Sequence, residues 1–417
     1  MSDAIQQFDI VIVGAGLVGA TLASLLSKNT TAKPLSIAVI DAHNKAKPVV
    51  AINNQSDSEP IFDFRVVALN QASQQLLAQV GFWPIIQSQR VCAYRDMIVW
   101  DGEGTGQIHF RAEDVQCNQL GYIVENTLVL RAILDSLQDS QQIDFIWGVS
   151  LEQIARCNQS VQLTLTDGRT LSAPLIVAAD GANSKVRELM GFHTREWSYH
   201  QQAIVATVQC EQSHQLTAWQ NFLPTGPLAF LPLDHPSEKY CSIVWSLDNK
   251  LADDMMSLTD QAFGDKLGKA FEYRLGRIEN VDKRLCFPLK QCHAVDYITD
   301  NIALAGDAAH AIHPLAGQGV NLGLLDAKVL AAEVSRTLER CLPLSDISLL
   351  QRYQRQRKLH NLEAMAVMEG LKHLFNSREP AIRWLRNTGL RQVNMLKPLK
   401  NWLAKQAIGV EDHTSTM

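Results

Sequence analysis

The sequence lacks any run of about 18 apolar residues, so no conventional membrane-spanning helix is expected. No basic segment with a small-residue cleavage site precedes the first apolar strand at Phe8, which reads as a cytoplasmic start. The 8 cysteines contain no CxxC, and the closest two are Cys286 and Cys292; they read as reduced thiols with neither a metal site nor a disulfide framework. Positive charge is not in excess either. Lys and Arg number 38 against 43 Asp and Glu, which gives no global field for nucleic acid. What remains is a 417-residue chain, 46% hydrophobic and 19% charged, with the composition of a folded protein of two or three units.

Periodicity orders the chain. Residues 8–13 read as a strand, Leu17 to Ser27 as a helix and 35–40 as a second strand, which makes a βαβ unit at the start. Residues 42–62 are a long polar connection. Helices are expected over 68–80 and 128–137, strands over 161–165 and 171–178, with Asp167-Gly168 as the turn between them. In the middle third, runs at 203–210, 228–233, 241–247 and 285–289 predict an antiparallel sheet with one covered face, with a helix over 258–275. A strand at 302–305 precedes helical pattern from Val320 onward.

Three glycine-rich segments carry chemistry. In Gly14-Ala15-Gly16-Leu17-Val18-Gly19, Gly14 permits a tight turn, Gly16 admits a pyrophosphate and Gly19 lets the helix pack closely. The helix start offers free N–H groups, and Asp41, 22 residues beyond Gly19, is placed to accept from ribose hydroxyls. The second segment, around Asp180-Gly181, ends a strand and opens a helix capped by Asn183 or Ser184. In the third, Gly306-Asp307 through His310, His313, Pro314 and Gly317-Gln318-Gly319-Val320-Asn321, a strand delivers Asp307 into a loop, and a helix start faces a site for negative charge.

Together these segments resemble the flavoprotein aromatic-ring monooxygenases built like p-hydroxybenzoate hydroxylase. The long stretch from Gly306 to Gly323 looks like the branch that hydroxylates ubiquinone precursors. Asp63-Phe64-Arg65, Gly81-Phe82-Trp83, Glu125-Asn126, Phe287-Pro288-Leu289 and Asn387-Thr388-Gly389-Leu390 support it. The resemblance implies an α/β fold: a Rossmann-like FAD-binding domain with an inserted antiparallel-sheet substrate domain and C-terminal helices. The expected boundaries are 1–80, 100–190 and 291–345 for the FAD domain, 81–99 and 191–290 for the substrate domain, and 346–417 for the helical region.

By the same resemblance FAD is held by Gly14, Gly16, Gly19, Asp41, Arg65, Arg131, Asp180, Gly181, Gly306, Asp307, Pro314, Gly317, Gln318, Gly319, Val320 and Asn321. NAD(P)H is a transient co-substrate that uses the Asp180-Gly181 segment, since no second GxGxxG is present. The implied reaction takes O2 through a flavin C4a-hydroperoxide to an electron-rich polyprenylated phenol. It needs no metal. His310 and His313, with Pro314, are the candidates for catalytic roles, a structural histidine being the competing reading.

From Arg378 to Lys405 there are seven basic residues and one acidic, with Val393, Leu396, Leu399, Leu403 and Ala407 at helical spacing and Trp384 and Trp402 nearby. That pattern is one of docking at the inner face of a membrane or on a biosynthetic complex, or of a helix packed on its own protein. Arg352, Arg355, Arg357 and Lys358 read as a solvated helix face. Competing functions are another flavin oxidoreductase of the same superfamily, made less favourable by the missing WxWxIP halogenase signature, and a flavin-binding accessory subunit. Hydroxylation at C5 and at C6 of the ring both remain open, with C1 as the lesser alternative.

Overall fold

A computed structural model describes residues 5–28, 34–44, 60–312, 317–376 and 379–409. The first apolar run forms strand Ile10–Val13, buried along its whole length, inside a six-stranded sheet. The order across that sheet is Ile298–Thr299, Ile302–Leu304, Leu175–Ala178, Ile10–Val13, Ile37–Asp41 and Ile143–Trp147, parallel throughout except at the Ile298–Thr299 edge. Continuous Val, Ile, Leu and Ala runs are what strands covered on both faces require. Helix Leu17–Ser27 packs on helix Gln318–Glu339 at Gly323, where a Cβ would lie 2.6 Å from Val18 Cγ2.

Two expected elements divide. The run at 171–178 is two strands, Thr170–Ala173 in a four-stranded sheet and Leu175–Ala178 in the six-stranded one. Pro174 between them has no N–H for either ladder, and the chain changes sheets there. The helix expected over 68–80 begins later. Val66–Leu69 is a strand paired with Gly121–Glu125, which also pairs with Val91–Tyr94, and Asn70 Oδ1 accepts from Ser73 N at 2.9 Å to cap helix Gln71–Gln79.

The middle of the chain builds a nine-stranded sheet. Its pairs are antiparallel except Asp96–Asp101 with Thr217–Leu223, which run parallel because residues 102–216 carry the chain away and back. The expected boundaries shift accordingly. Asp96–Asp101 and Gln107–Arg111 belong to this sheet, whereas the expected cofactor unit takes in residues 100–111, and strand Leu285–Ala294 runs through the expected boundary at 290. Trp100, 2% exposed, packs in the second core with Phe230 and Phe271 and explains the first correction. Helices Asn249–Met256 and Asp260–Ala270 cover one face of the sheet, where Ile204, Phe230, Ile243 and Trp245 meet Phe263 and Leu267. Strand alternation turns Ala218, Gln220, Ala229, Leu231, Val244 and Ser246 to the other face.

Helices Ile347–Asn376, Pro380–Met395 and Lys397–Ile408 end the chain. The last two bury charge and expose apolar surface. Arg386 pairs with Asp101 and Lys400 with Asp114, each at 2.7 Å, while Trp384, Met395, Leu396, Leu399 and Trp402 face outward. Asn387 fastens this region to the hairpin, with its Nδ2 donating to Asp101 and its Oδ1 accepting from Gly106 N. Arg357, expected on a wet face, is 4% exposed and donates from Nε to Asp326 Oδ1 at 2.7 Å. Among the described residues no helix is long and apolar enough to cross a membrane, and no cluster of ligating side chains suits a metal ion.

Candidate active site

Parallel strands deliver the chemistry-bearing residues at their C-terminal ends. Gly14 follows Val13, Asp41 ends its strand, Ala179-Asp180 follow Ala178, and Ala305-Gly306-Asp307 follow Leu304. They line one cleft of about 590 Å³. Gly14 has φ +106°, and a Cβ there would meet Ala179 O at 2.3 Å, so only glycine turns the chain here. At Gly19 a Cβ would lie 1.9 Å from Gly14 O. At Gly16, by contrast, a Cβ would meet nothing within 4 Å, which leaves open space beside the free N–H groups of the helix start.

Asp41 Oδ2 accepts from Ala15 N at 2.8 Å, and Oδ1 accepts from His43 N at 2.8 Å. A carboxylate has about four lone-pair sites, so acceptor capacity toward the cleft remains. Asp180 Oδ2 accepts from Lys185 N (2.7 Å) and Val186 N (3.2 Å), while Ser184 Oγ caps helix Lys185–Leu189 through Arg187 N. Asp180 Oδ1 is buried and without a partner, an acceptor held ready beside the cleft. Asp307 projects into the cleft. Desolvation there raises its carboxyl above the ordinary range, against the pull of His310 and Arg65.

Arg65 is aimed by its neighbours. Asp63 Oδ1 accepts from Arg65 N (3.1 Å) and Arg65 O accepts from Asn126 N (2.9 Å). Buried Glu125 accepts from Asp63 N (2.7 Å) and from Arg90 (2.8 Å). Arg65, Asn126, Asp307, Gly319 and Val320 also line a second cavity of about 250 Å³, roofed by Ala218, Gln220, Pro227, Ala229, Leu231, Val244 and Ser246 of the large sheet. The five shared residues mark where the two cavities meet. Tyr94 lines only the smaller one, and burial pushes its hydroxyl up to about 12, which keeps it a neutral donor.

The structure gathers Gly14, Gly16, Asp41, Arg65, Asp180, Gly181, Asp307, Gly317, Gly319 and Val320 around these cavities. Gly19 and Gly306 shape the wall from behind, and Gln318 opens the helix without lining either cavity. Asn321 is committed to the framework, accepting from Asn70 N (3.0 Å) and donating to Ala68 O (2.8 Å). Arg131 is not among the residues that line either cavity. It pairs with Asp135 on an outer helix face, while Leu130 and Leu134 of the same helix line the cleft, one position out of the expected register.

His310 takes the structural place that was the competing reading. It is 0% exposed, its Nε2 lies 2.5 Å from Asp326 Oδ2, and it lines neither cavity, so it is no base for a bound phenol. His313 and Pro314 lie outside the described residues. Sequence reasoning missed Tyr94, Gln220 and Ser246; the one available signal was a polar residue interrupting the apolar side of a strand.

A dinucleotide cleft that shares a wall with a second, largely apolar cavity is the plan of a flavin-dependent oxygenase. The chain belongs to the family described as FAD binding domain, whose model matches residues 7–367. It is 34% identical over 405 residues to the 3-demethoxyubiquinol 3-hydroxylase of Escherichia coli (strain K12), covering 97% of this chain and 99% of that one. It is 32% identical over 438 residues to the mitochondrial ubiquinone biosynthesis monooxygenase COQ6 of Xenopus tropicalis, covering 94% and 91%. In fold it is similar to the p-nitrophenol 4-monooxygenase PnpA of Pseudomonas putida DLL-E4, with TM-score 0.77, 18% identity and coverage of 97% and 99%.

Proposed function

We propose that this protein is an FAD-dependent monooxygenase that hydroxylates the aromatic ring of a polyprenylated phenol in ubiquinone biosynthesis, with O2 and NAD(P)H as co-substrates. The observation that carries this reading is the 250 Å³ chamber sharing Arg65, Asn126, Asp307, Gly319 and Val320 with the dinucleotide cleft. A dry cavity of about 150 Å³ holds a benzene ring, so this chamber suits one substituted ring and leaves a prenyl chain outside it.

The residues present fit FAD: open space at Gly16, the acceptor atoms of Asp41 and Asp180, and Asp307 within the cleft. Bound there, FAD supplies the electron storage and oxygen activation of the reaction. The protein does the rest. Gly14, Asp41 and Asp180 hold the adenosine and phosphate portion, and Asp307 receives polyol hydroxyls. The first turn of helix Gln318–Glu339 lines the common wall, where its free N–H groups favour negative charge. Ala229, Leu231 and Val244 keep water from the ring's chamber.

The outward apolar residues of the C-terminal helices support contact with an anionic lipid surface, the phase in which a prenylated substrate is dissolved. Quinone profiling by mass spectrometry in a strain lacking the protein tests the function. An accumulated precursor short of one ring hydroxyl is the expected result and identifies the carbon. A normal quinone pool, or purified protein that consumes NAD(P)H without incorporating labelled oxygen, would overturn it.

A further inference from the structure

We infer that Gln220 holds the oxygen of the substrate ring and so decides which ring carbon faces the cofactor; the inference rests on the function proposed above. Five of the cavity's lining residues are shared with the dinucleotide cleft and belong to the cofactor's side. The opposite wall is the face of the large sheet. Across it run three rows set by strand register: Ala218 beside Leu231, Gln220 beside Ala229 and Val244, and Phe222 beside Pro227 and Ser246. Gln220 sits in the middle row among small apolar neighbours, and it reaches further than Ser246, the other side chain of that wall that both donates and accepts.

Gln220 is 6% exposed, and it lines the cavity. The next residue behaves differently. Asn221 points to the covered face, where its Nδ2 donates to Ala270 O at 2.9 Å and its Oδ1 has no partner among the described residues. A carboxamide that borders a cavity has its donors and its acceptor open to a ligand there. A phenolic oxygen suits it: the amide N–H donates to the ring oxygen and its carbonyl accepts the phenol proton. The Tyr94 hydroxyl lines the same cavity and adds a second neutral donor. Because a carboxamide does not titrate, its hold is independent of pH, and a ring fixed at one oxygen presents one edge to the common wall.

The test uses FAD-loaded protein titrated with 2-methoxyphenol carrying a geranyl tail, and with the same molecule lacking the hydroxyl, read by perturbation of flavin absorbance. Gln220→Met, close in volume, and Gln220→Asn, which keeps an amide of shorter reach, are compared with the parent at equal flavin content and equal thermal midpoint. Gln220→Met is expected to weaken binding of the hydroxylated probe about ten-fold, the equivalent of one neutral hydrogen bond, and to leave the other probe unchanged. Gln220→Asn is expected to fall between. With a demethoxyubiquinol of short tail as substrate, Gln220→Met is expected to yield mixed ring isomers and more hydrogen peroxide per NAD(P)H. Equal binding of the hydroxylated probe by all three proteins, or equal weakening of both probes, overturns the inference. If the parent binds the hydroxylated probe selectively through Gln220 yet never hydroxylates the quinol, the functional reading falls while the phenol site stands.

Discussion

Arg386 and Asp101 meet at 2.7 Å with side-chain exposures of 2% and 1%, and through this pair the penultimate helix is clamped to the hairpin of the substrate sheet. The guanidinium also donates to Phe375 O at 2.7 Å, Asn387 Nδ2 donates to the same carboxylate oxygen as Arg386, and the other oxygen accepts from Glu103 N. Removing one partner leaves the other charged, buried and unpaired. Arg386→Met is therefore expected to destabilise the protein by about 3–5 kcal/mol, and adding Asp101→Leu is expected to recover much of the loss. Chemical denaturation of the single and double variants checks this.

Asp307→Ala removes the carboxylate assigned to the polyol of the cofactor. The expected outcome is folded protein with little bound FAD, measured as the ratio of 450-nm flavin absorbance to protein. Stoichiometric, tightly held flavin in this variant would contradict the assignment.

Gly19→Ala places a methyl group where Gly14 O already lies, 1.9 Å away. The turn and the helix cannot both keep their positions, so loss of both thermal stability and flavin is expected. Gly16→Ala faces open space and should fold normally while binding FAD more weakly. Calorimetry beside flavin titration separates the two.

Two buried groups give stability a pH dependence of defined sign. Burial, reinforced by His310, Lys358 and Arg195, lowers His293 to about 4. The unfolded chain then binds a proton that the folded one refuses, so this contribution is complete above about pH 6.5 and is lost as pH falls toward 4. Burial alone would raise Asp326, but His310 and Arg357 outweigh it and hold the carboxyl at about 2. That contribution is present above about pH 4 and is lost between 4 and 2. Thermal midpoints are expected to drop in two stages, with His293→Gln diminishing the upper one, to which His214 and His360, also lowered by burial, contribute as well.

Trp384→Glu and Trp402→Glu place charge on the outward face of the C-terminal helices, where the two rings are 69% and 52% exposed. Neither supports the core, so unfolding temperature should hardly change. Co-sedimentation with anionic vesicles should fall several-fold, and undiminished binding would remove the lipid surface from the functional reading.

The cofactor half of the fold was legible because its signals are local. Gly14, Gly16, Gly19 and Asp41 lie within one βαβ unit, and helix Leu17–Ser27 has the bounds its periodicity predicts. The substrate half depends on pairings distant in sequence. Nothing near Asp96 announces a parallel partner at Thr217, and the split at Pro174 depends on which sheet each half joins. Arg131 lies one helical position from Leu130, which lines the cleft. His310 failed because its environment comes from Asp326 and Arg357, residues that no motif links to it. The C-terminal helices read as amphipathic, but periodicity does not reveal which side faces inward; the ion pairs to Asp101 and Asp114 turn Arg386 and Lys400 toward the protein.

Asp326 joins the cofactor loop to a residue made late. One of its oxygens holds Gly306 N (2.9 Å) and His310, and the other holds Arg357 Nε (2.7 Å) and Asn361 Nδ2 (3.2 Å). Until helix Ile347–Asn376 has left the ribosome, that carboxylate has only half its partners, and the Gly306 turn lacks its anchor. Flavin capture is thereby deferred nearly to the end of synthesis, and a nascent chain stalled short of Arg357 should emerge colourless.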